Sequence, residues 1–325
     1  MLLLVVGGGV AFFLLVLGAI GFWPLDPGEL TMDSQPVLEY EKARLQLDEV
    51  MARPLGEVSE ECRGRVFDHG RETPVVVVLM HGLTNCPKQF AVFGELAFER
   101  GANVIIPRTP YHGYADRMTK DLALLDAQSM LDVANRAVDL ARGLGERVVV
   151  VGLSVNGVTA GWLAQNRSDV DQAVLMSPFF APHGVAERWV GPLARTLYRL
   201  PNLFPWWDPV AKERLEGSDV SYPRFSTHAI AQVMRMGLDV FRDANRESPA
   251  AGRITVVTSG ADTAISEGAV EEVVEIWREG GATVDEKRFP KDLGVPHDSI
   301  DPLQPGAQTD VVYPVLLDLI GLKSG

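Results

Sequence analysis

Short apolar, β-branched runs alternate with longer segments whose apolar residues recur at helical spacing. The runs predict strands buried on both faces, and the spaced segments predict helices that cover them. Predicted strands are Val75–Met80, Asn103–Pro107, Arg147–Leu153, Val170–Pro178, Ile254–Ser259 and Ala282–Phe289. Predicted helices are Val37–Ala52, Pro87–Arg100, Arg117–Leu144, Val155–Asn166, Ser266–Glu279 and Asp310–Leu322. This alternation predicts an α/β fold with a mostly parallel central sheet flanked by helices.

One long stretch interrupts the alternation. Residues 183–252 contain no strand candidate, only helical segments that are rich in aromatic residues around Pro201–Asp208. We therefore expect a helical cap at 183–252, inserted into a core formed by 61–182 and 253–325. Residues 26–60 begin with an acidic, proline-bearing stretch, which is typical of a linker, and continue into a helix.

The first 25 residues form the longest apolar segment and contain no ionisable side chain. A helix of this length, at about 1.5 Å per residue, could cross a hydrocarbon core of about 30 Å, with Trp23 at the interface. The segment lacks a basic start and exceeds a signal-peptide core of roughly 7–15 residues. We therefore expect an uncleaved transmembrane helix in the cell membrane at 1–25, with the rest of the chain extracytoplasmic. The alternative is secretion after signal cleavage near the small residues Ala19 and Gly21.

Cys62 and Cys86 are the two cysteines of the chain, and they bracket the predicted strand Val75–Met80. A bridge between them would stabilise the fold by about 3 kcal/mol in the loop-entropy description of disulfides. It would also indicate an oxidising compartment. The alternative is a pair of unrelated buried thiols.

The charge balance excludes some partners. The net charge is −13, and no basic stretch is present that could neutralise phosphates, so we expect no nucleic-acid partner. The histidines are scattered, and no H-E-x-x-H or paired Cys/His spacing occurs, so we expect no metal site.

Ser154 stands where the apolar run Arg147–Leu153 ends and a predicted helix begins. A sharp turn from strand to helix would push its hydroxyl out at the sheet edge, which is the geometry of a nucleophile elbow, G-x-S-x-G. Gly152 matches the first glycine of this pattern. The second glycine is replaced by Asn156, and Gly157 follows one position later.

A serine hydroxyl becomes nucleophilic when a base accepts its proton and a carboxylate orients that base. On sheets with a nucleophile elbow the chain order is serine, acid, histidine. Three histidines follow Ser154, and His183 and His228 lie in or beside the predicted cap. His297 follows the last predicted strand, and we predict that it is the base.

The predicted acid is Asp262. It follows the strand Ile254–Ser259, at the carboxyl edge where the catalytic groups of open α/β sheets gather. Asp298 is the competing acid, but its position directly after His297 makes it less able to orient the imidazole.

The oxyanion of an acyl-transfer reaction needs two N–H donors. We predict that Val155 supplies one, because it directly follows the nucleophile. Leu83 is predicted to supply the other from the loop after Val75–Met80, where Gly82 lets the backbone approach closely. We expect His81 to be a structural histidine packed under this loop.

Together these features resemble the α/β-hydrolase fold serine hydrolases of the carboxylesterase and monoacylglycerol-lipase-like kind, from about Glu61 onwards. The resemblance rests on His81-Gly82, the Pro107…His112-Gly113 loop, the elbow at Ser154, Gly260-x-Asp262 and His297. It implies hydrolysis of short- or medium-chain or monoacylglycerol-like esters through an acyl-enzyme, without a cofactor. Alternatives are a peptidase or thioesterase on the same fold, or a non-catalytic binding protein, for which Asn156 is the sole support.

The substrate pocket is the least determined part of this interpretation. Phe179, Trp206 and Trp207 could line an apolar acyl pocket under the cap, or they could form the core of the cap itself. Asn156 is either a tolerated variant of the elbow or a residue whose amide shapes specificity. A membrane anchor beside such a site would suit a lipid-like ester.

Overall fold

A computed structural model describes residues 21–23, 28–51, 56–214 and 216–322. Apart from residues 21–23, the predicted anchor or signal segment at 1–25 lies outside these ranges. Within the ranges, no helix has the length and apolar character needed to cross a membrane.

In the described part of the chain, seven strands form one sheet. They are β1 (Arg65–Phe67), β2 (Thr73–Met80), β3 (Asn103–Ile106), β4 (Gly145–Leu153), β5 (Gln172–Met176), β6 (Ile254–Ser259) and β7 (Val284–Phe289). Their order in the sheet is β1-β3-β2-β4-β5-β6-β7. All neighbours pair in parallel except β1, which pairs antiparallel with β3. The mostly parallel sheet is therefore confirmed. Strand β1 was not predicted, because its three half-buried residues form no apolar run in the sequence.

Helices flank this sheet or pack on the helices that flank it. They are α1 (Tyr40–Met51), α2 (Ala91–Glu99), α3 (Ala127–Ala141), α4 (Val155–Asn166), α5 (Glu187–Arg199), α6 (Thr227–Ala244), α7 (Glu267–Glu279) and α8 (Thr309–Leu319). The predicted helix Arg117–Leu144 is too long, because α3 begins only after Asp126. The Asp126 carboxylate accepts a hydrogen bond from the Ser129 N–H at 2.9 Å and so caps the helix N-terminus.

The sheet is buried on both faces. Along β4, Val148 and Val150 pack into the hydrophobic cluster that includes α3, α4, α6 and α7. Val149 and Val151 point the other way and pack with α2 and α8. Because successive side chains of a strand alternate between faces, a strand covered on both faces must be apolar at every position. This explains why the apolar runs are continuous.

The chain between β5 and β6 includes α5 and α6. Helix α6 packs against α4, and a Cβ at Gly237 in α6 would lie 3.2 Å from the Phe180 ring and 3.7 Å from Val158 of α4. Its buried residues belong to the same hydrophobic cluster as those of α4, so α6 packs on the helices that flank this face of the sheet. Helix α6 thus lies within the predicted cap at 183–252 and shares the hydrophobic cluster of the core, and the bounds of the cap stay a prediction.

Cys62 and Cys86 form a disulfide with a Cα–Cα distance of 5.3 Å, as the sequence predicts. The bridge joins the turn before β1 to the loop after β2. A Cβ at Gly113, where φ is +75°, would lie 2.4 Å from the Cβ of Cys62. The loop after β3 therefore packs directly on the disulfide, and both loops lie at the carboxyl end of the sheet.

Candidate active site

Ser154 lies at the turn between β4 and α4 with φ 58° and ψ −113°. A backbone of this kind costs a residue with a side chain about 1–3 kcal/mol, so the surrounding structure must hold it. The Ser154 N–H donates to the carbonyl of Met176 at 2.9 Å, and its own carbonyl accepts from the Phe179 N–H at 3.0 Å. The end of β5 therefore holds the predicted elbow in its strained conformation.

Two glycines permit this turn. A Cβ at Gly152 would lie 1.9 Å from the carbonyl oxygen of Asn156, which no side chain could tolerate. A Cβ at Gly157 would lie 2.9 Å from the Cα of Pro178, after β5. In this protein the closest approach between α4 and the chain after β5 is therefore at Gly157. Position 156, where the elbow pattern has glycine, has room for the asparagine side chain.

The Asn156 side chain lies behind the elbow and is 3% exposed. Its Nδ2 donates to the carbonyl of His81 at 2.5 Å and to Oγ1 of Thr109 at 3.1 Å. Its Oδ1 accepts from the Thr159 hydroxyl at 3.0 Å. The amide therefore joins α4 to the loops after β2 and β3. This placement favours a supporting role for Asn156 over the substrate contact considered from the sequence.

The three residues predicted to act together do lie together. The Ser154 hydroxyl donates to Nε2 of His297 at 2.9 Å, and Nδ1 of His297 donates to Oδ2 of Asp262 at 2.7 Å. Asp262 follows β6 and His297 follows β7, so three separate strand ends contribute one group each. The Asp262 side chain is fully buried, Ser154 is 8% exposed, and the His297 side chain is 28% exposed.

Asp262 is held in its ionised form. Burial alone would raise the pKa of this carboxyl, but the hydrogen bond and charge of His297 outweigh burial and bring the pKa below its usual value. The Ala264 N–H, at 2.8 Å, and the Ser177 hydroxyl also donate to it. A carboxylate that accepts from Nδ1–H fixes the tautomer of the imidazole and leaves the Nε2 lone pair facing Ser154.

The competing acid, Asp298, faces elsewhere. Its carboxylate accepts from Nε2 of Gln89 at 2.7 Å and from the Asp301 N–H at 3.2 Å. Burial raises the pKa of this carboxyl. Although Asp298 is the chain neighbour of His297, the carboxylate bonded to the His297 ring is that of Asp262.

The two predicted oxyanion donors are buried N–H groups. Among the residues described, neither the Leu83 nor the Val155 N–H donates to a protein acceptor. Val155 is the first residue of α4, where the N–H has no partner within the helix and the helix dipole favours negative charge. In the other loop, a Cβ at Gly82 would lie 3.7 Å from the Cβ of Ser154, so the loop that carries Leu83 passes close to the nucleophile.

His81 supports this loop from below. Its Nδ1 donates to the carbonyl of Gly82 at 3.0 Å, and its Nε2 accepts from the Thr109 N–H at 3.1 Å. These bonds require a neutral imidazole. Burial, together with the nearby His112, holds the pKa of His81 well below its usual value. His81 is placed as the structural histidine that the sequence predicts.

The three aromatic residues proposed for a substrate pocket lie in different surroundings. The Trp207 indole is 44% exposed, donates to the Thr84 hydroxyl at 2.9 Å and packs on Phe225 with ring centroids 4.4 Å apart. Trp206 is half-buried and forms an isolated bridge with Arg224. Phe179 is half-buried against the main core. Trp207 is thus the one that contacts the residue next to Leu83.

We compared the sequence and the fold with those of known proteins. No curated protein matched the sequence. Among solved structures, a metagenome-derived lipolytic enzyme superposes with a TM-score of 0.59 at 17% identity, covering 81% of this chain and 98% of that one. The monoacylglycerol lipase of Paleococcus ferrophilus gives 0.58 at 18% identity, covering 79% and 97%. A soluble variant of the monoglyceride lipase of Saccharomyces cerevisiae, in complex with a substrate analog, gives 0.59 at 14% identity, covering 80% and 90%.

These similarities show a shared fold. The family assignment rests on the sequence itself, because residues 77–308 match the alpha/beta hydrolase family. The matched region begins in β2 and ends just before α8, so it contains the elbow, the acid and the histidine. This protein belongs to the alpha/beta hydrolase family.

Proposed function

We propose that this protein is a serine hydrolase that cleaves carboxylic esters through an acyl-enzyme intermediate. The observation that carries the proposal is the hydrogen-bonded series from Asp262 through His297 to Ser154, with distances of 2.7 and 2.9 Å. A nucleophile, a base and an acid in contact, each from a different strand end, are the requirements for activating a serine hydroxyl.

In the proposed reaction, Oγ of Ser154 attacks the ester carbonyl carbon while Nε2 of His297 accepts the hydroxyl proton. The tetrahedral intermediate collapses, the C–O bond to the alcohol breaks, and His297 returns the proton to the departing oxygen. Water then attacks the acyl-enzyme with its proton passing to His297. The bond to Oγ breaks, the acid leaves, and Ser154 regains its proton.

Charge develops on the carbonyl oxygen in both tetrahedral intermediates. The N–H groups of Leu83 and Val155 are proposed to stabilise it, since both are buried and have no protein acceptor in the described structure. Donors that are already in place need no reorganisation when the charge forms, and this is why such sites accelerate acyl transfer.

We propose short- or medium-chain acyl esters or monoacylglycerol-like esters as the substrate class. The superposed structures include two monoglyceride-type lipases, and Trp207 presents a partly exposed aromatic surface beside the loop of Leu83. The non-catalytic alternative had Asn156 as its sole support. The packing of Asn156 and Gly157 accommodates that departure from the elbow pattern, which removes the support that Asn156 gave to this alternative.

A panel of p-nitrophenyl esters of increasing acyl length, together with a monoacylglycerol, tests the activity and the substrate class. Thioester and peptide substrates serve as comparisons. We expect turnover of the oxygen esters by the wild type and loss of turnover in Ser154→Ala. Equal rates for the two proteins would show that Ser154 is not the nucleophile.

The location of the protein is a separate proposal. We propose that residues 1–25 anchor the chain in the cell membrane and that the hydrolase domain lies on the extracytoplasmic side. The apolar segment supports the anchor, and the Cys62–Cys86 bridge supports an oxidising compartment. Protein that stays in the membrane fraction after alkaline extraction, and that external protease digests in intact cells, would agree. A mature N-terminus that begins after residue 19 would contradict the anchor.

A further inference from the structure

One buried carboxamide joins the loop of the oxyanion donor to the loop of the base. Gln89 lies in the 3-10 turn Pro87–Phe90 after β2 and is 3% exposed. Its Oε1 accepts from the Gly82 N–H at 2.8 Å, and its Nε2 donates to Oδ2 of Asp298 at 2.7 Å. Gly82 precedes Leu83 and Asp298 follows His297, so each bond ends one residue away from a group of the proposed reaction.

The first bond helps to fix the peptide unit that carries the Leu83 N–H. The carbonyl of that unit belongs to Gly82, and it accepts from Nδ1 of His81 at 3.0 Å and from the Asn85 N–H at 3.3 Å. In a trans peptide the N–H points opposite to the carbonyl. With Gly82 held at its carbonyl by two donors and at its N–H by Gln89, the direction of the Leu83 N–H is determined.

The second bond fixes the loop after β7. Asp298 also accepts from the Asp301 N–H at 3.2 Å, so its carboxylate closes a turn directly after His297. The Asn85 carboxamide also bonds to the Asp301 carboxylate. Two side-chain hydrogen bonds thus join the loop of the base to the loop of the oxyanion donor. The bond from Gln89 is the one that ends next to His297.

We infer that Gln89, through Asp298, is a positioning residue that holds the Leu83 donor and the His297 base at a fixed separation. This inference rests on the proposed function and extends it to a residue outside the triad. The Gln89 side chain is 3% exposed, and its hydrogen bonds end on Gly82 and Asp298, so we expect its substitution to change kcat more than KM. Displacement of a reacting group by about 1 Å is enough to slow a reaction by about a hundredfold.

The polarity of the bond can be reversed without changing its shape. In Gln89→Glu the carboxylate still accepts from the Gly82 N–H, but it faces the Asp298 carboxylate. The two groups can bond only by taking up a proton, so the loss of kcat in this variant should grow as the assay pH is raised. In Asp298→Asn, Oδ1 can still accept from the Asp301 N–H, while Nδ2 faces the Nε2 donor of Gln89. In the double variant, Nδ2 at position 298 donates to the carboxylate at position 89, and the bond is restored in the opposite direction.

A buried glutamine far from the site provides a matched control. Gln165, near the C-terminus of α4, also uses both ends of its carboxamide. It donates to the carbonyl of Glu247 at 2.9 Å and accepts from Nε1 of Trp277 at 2.9 Å. Gln165→Glu introduces the same buried charge without touching either loop, so it reports the cost of that change for folding alone.

We expect Gln89→Glu to lower kcat for a p-nitrophenyl ester by about 10- to 100-fold with KM changed less than about threefold, and the double variant to recover kcat to within about fivefold of the wild type. Gln165→Glu, measured at the same folded fraction, should keep the wild-type kcat. Gln89→Met, which loses both bonds without a buried charge, should lower kcat in the same direction and covers the case in which Gln89→Glu does not fold.

Equal kcat values for the Gln89 and Gln165 variants would overturn the inference, and so would a double variant that does not recover. Rates of labelling by a fluorophosphonate, measured in parallel, separate this result from failure of the proposed function. That reagent forms a bond from Oγ to phosphorus with loss of fluoride while the hydroxyl proton passes to His297, and it places the phosphoryl oxygen of a tetrahedral adduct in the same hole. If the wild type is labelled but turns over no ester, the proposed function fails alone and the labelling rates still test Gln89. If the wild type is not labelled, both are wrong.

Discussion

Asn156 offers a sharp test of how the elbow is supported. In Asn156→Ala the backbone remains, and the amide bonds to His81, Thr109 and Thr159 are lost. The carbonyl of His81 loses the side-chain donor that lies 2.5 Å from it, in a region where His81 is fully buried. A buried acceptor left without a partner costs about 1–3 kcal/mol, and each ordinary hydrogen bond contributes about 1 kcal/mol.

The two threonine hydroxyls can rotate towards other partners, whereas the carbonyl of His81 cannot. We therefore expect a loss of about 2–4 kcal/mol in the free energy of unfolding for Asn156→Ala. Asn156→Gly, which recreates the family pattern G-x-S-x-G, should be less stable again by about 0.5–1 kcal/mol, because glycine loses more backbone entropy in a helix. A change towards the pattern would thus destabilise this protein.

Urea unfolding of the wild type and both variants measures these differences. Asn166→Ala is a suitable control in the same helix, since the Asn166 amide makes one local bond, to the carbonyl of Trp162 at 2.9 Å. We expect the control to lose less than about 1 kcal/mol. If Asn156→Ala unfolds within about 0.5 kcal/mol of the wild type, the three bonds do not stabilise the elbow and the reasoning fails.

Three further outcomes follow from the site and its surroundings. Ser154→Ala and Asp262→Asn should each lower kcat/KM for a p-nitrophenyl ester by at least about a thousandfold, and initial rates within tenfold of the wild type would contradict the triad. Removing the disulfide by Cys62→Ala with Cys86→Ala should lower the free energy of unfolding by about 3 kcal/mol, and an unchanged urea midpoint would argue against the bridge. Burial lowers the pKa of His112 from 6.5 to about 4. As the pH falls, the unfolded chain therefore binds this proton first, and stability that is present above pH 6.5 is lost between 6.5 and about 4. This loss reaches about 2 kcal/mol by pH 5. Thermal unfolding across this range should show a steeper loss for the wild type than for His112→Gln, and equal slopes would refute the assignment.

The residues that sequence reasoning located share a simple property. Ser154, Asp262 and His297 each follow an apolar run that could only be a buried strand, and parallel strands end at the same edge of a sheet. Their chain order then restricted the choice of base to a single histidine. Leu83 and Val155 followed from the same logic, because the oxyanion donors are defined by their distance in sequence from a strand end and from the nucleophile.

The residues that sequence reasoning missed act through contacts between distant loops. Gln89 carries no motif, and a glutamine near the start of a helical segment is typical of an exposed surface. The strand β1 was also missed, since three half-buried residues produce no apolar run. Helix α6 has an amphipathic pattern that indicates a buried face, but the pattern does not say which helices that face packs against.

The sequence by itself determined the periodic elements, the parallel sheet, and which serine and histidine are the candidate nucleophile and base, because strand burial and chain order are properties that short-range patterns record. Only the tertiary structure decided between Asp262 and Asp298, since both are acids near His297 and the choice depends on which carboxylate reaches Nδ1. It also decided the part played by Asn156. The space around its side chain is set by His81 and Thr109, which are distant in the chain and meet it only when the sheet is assembled.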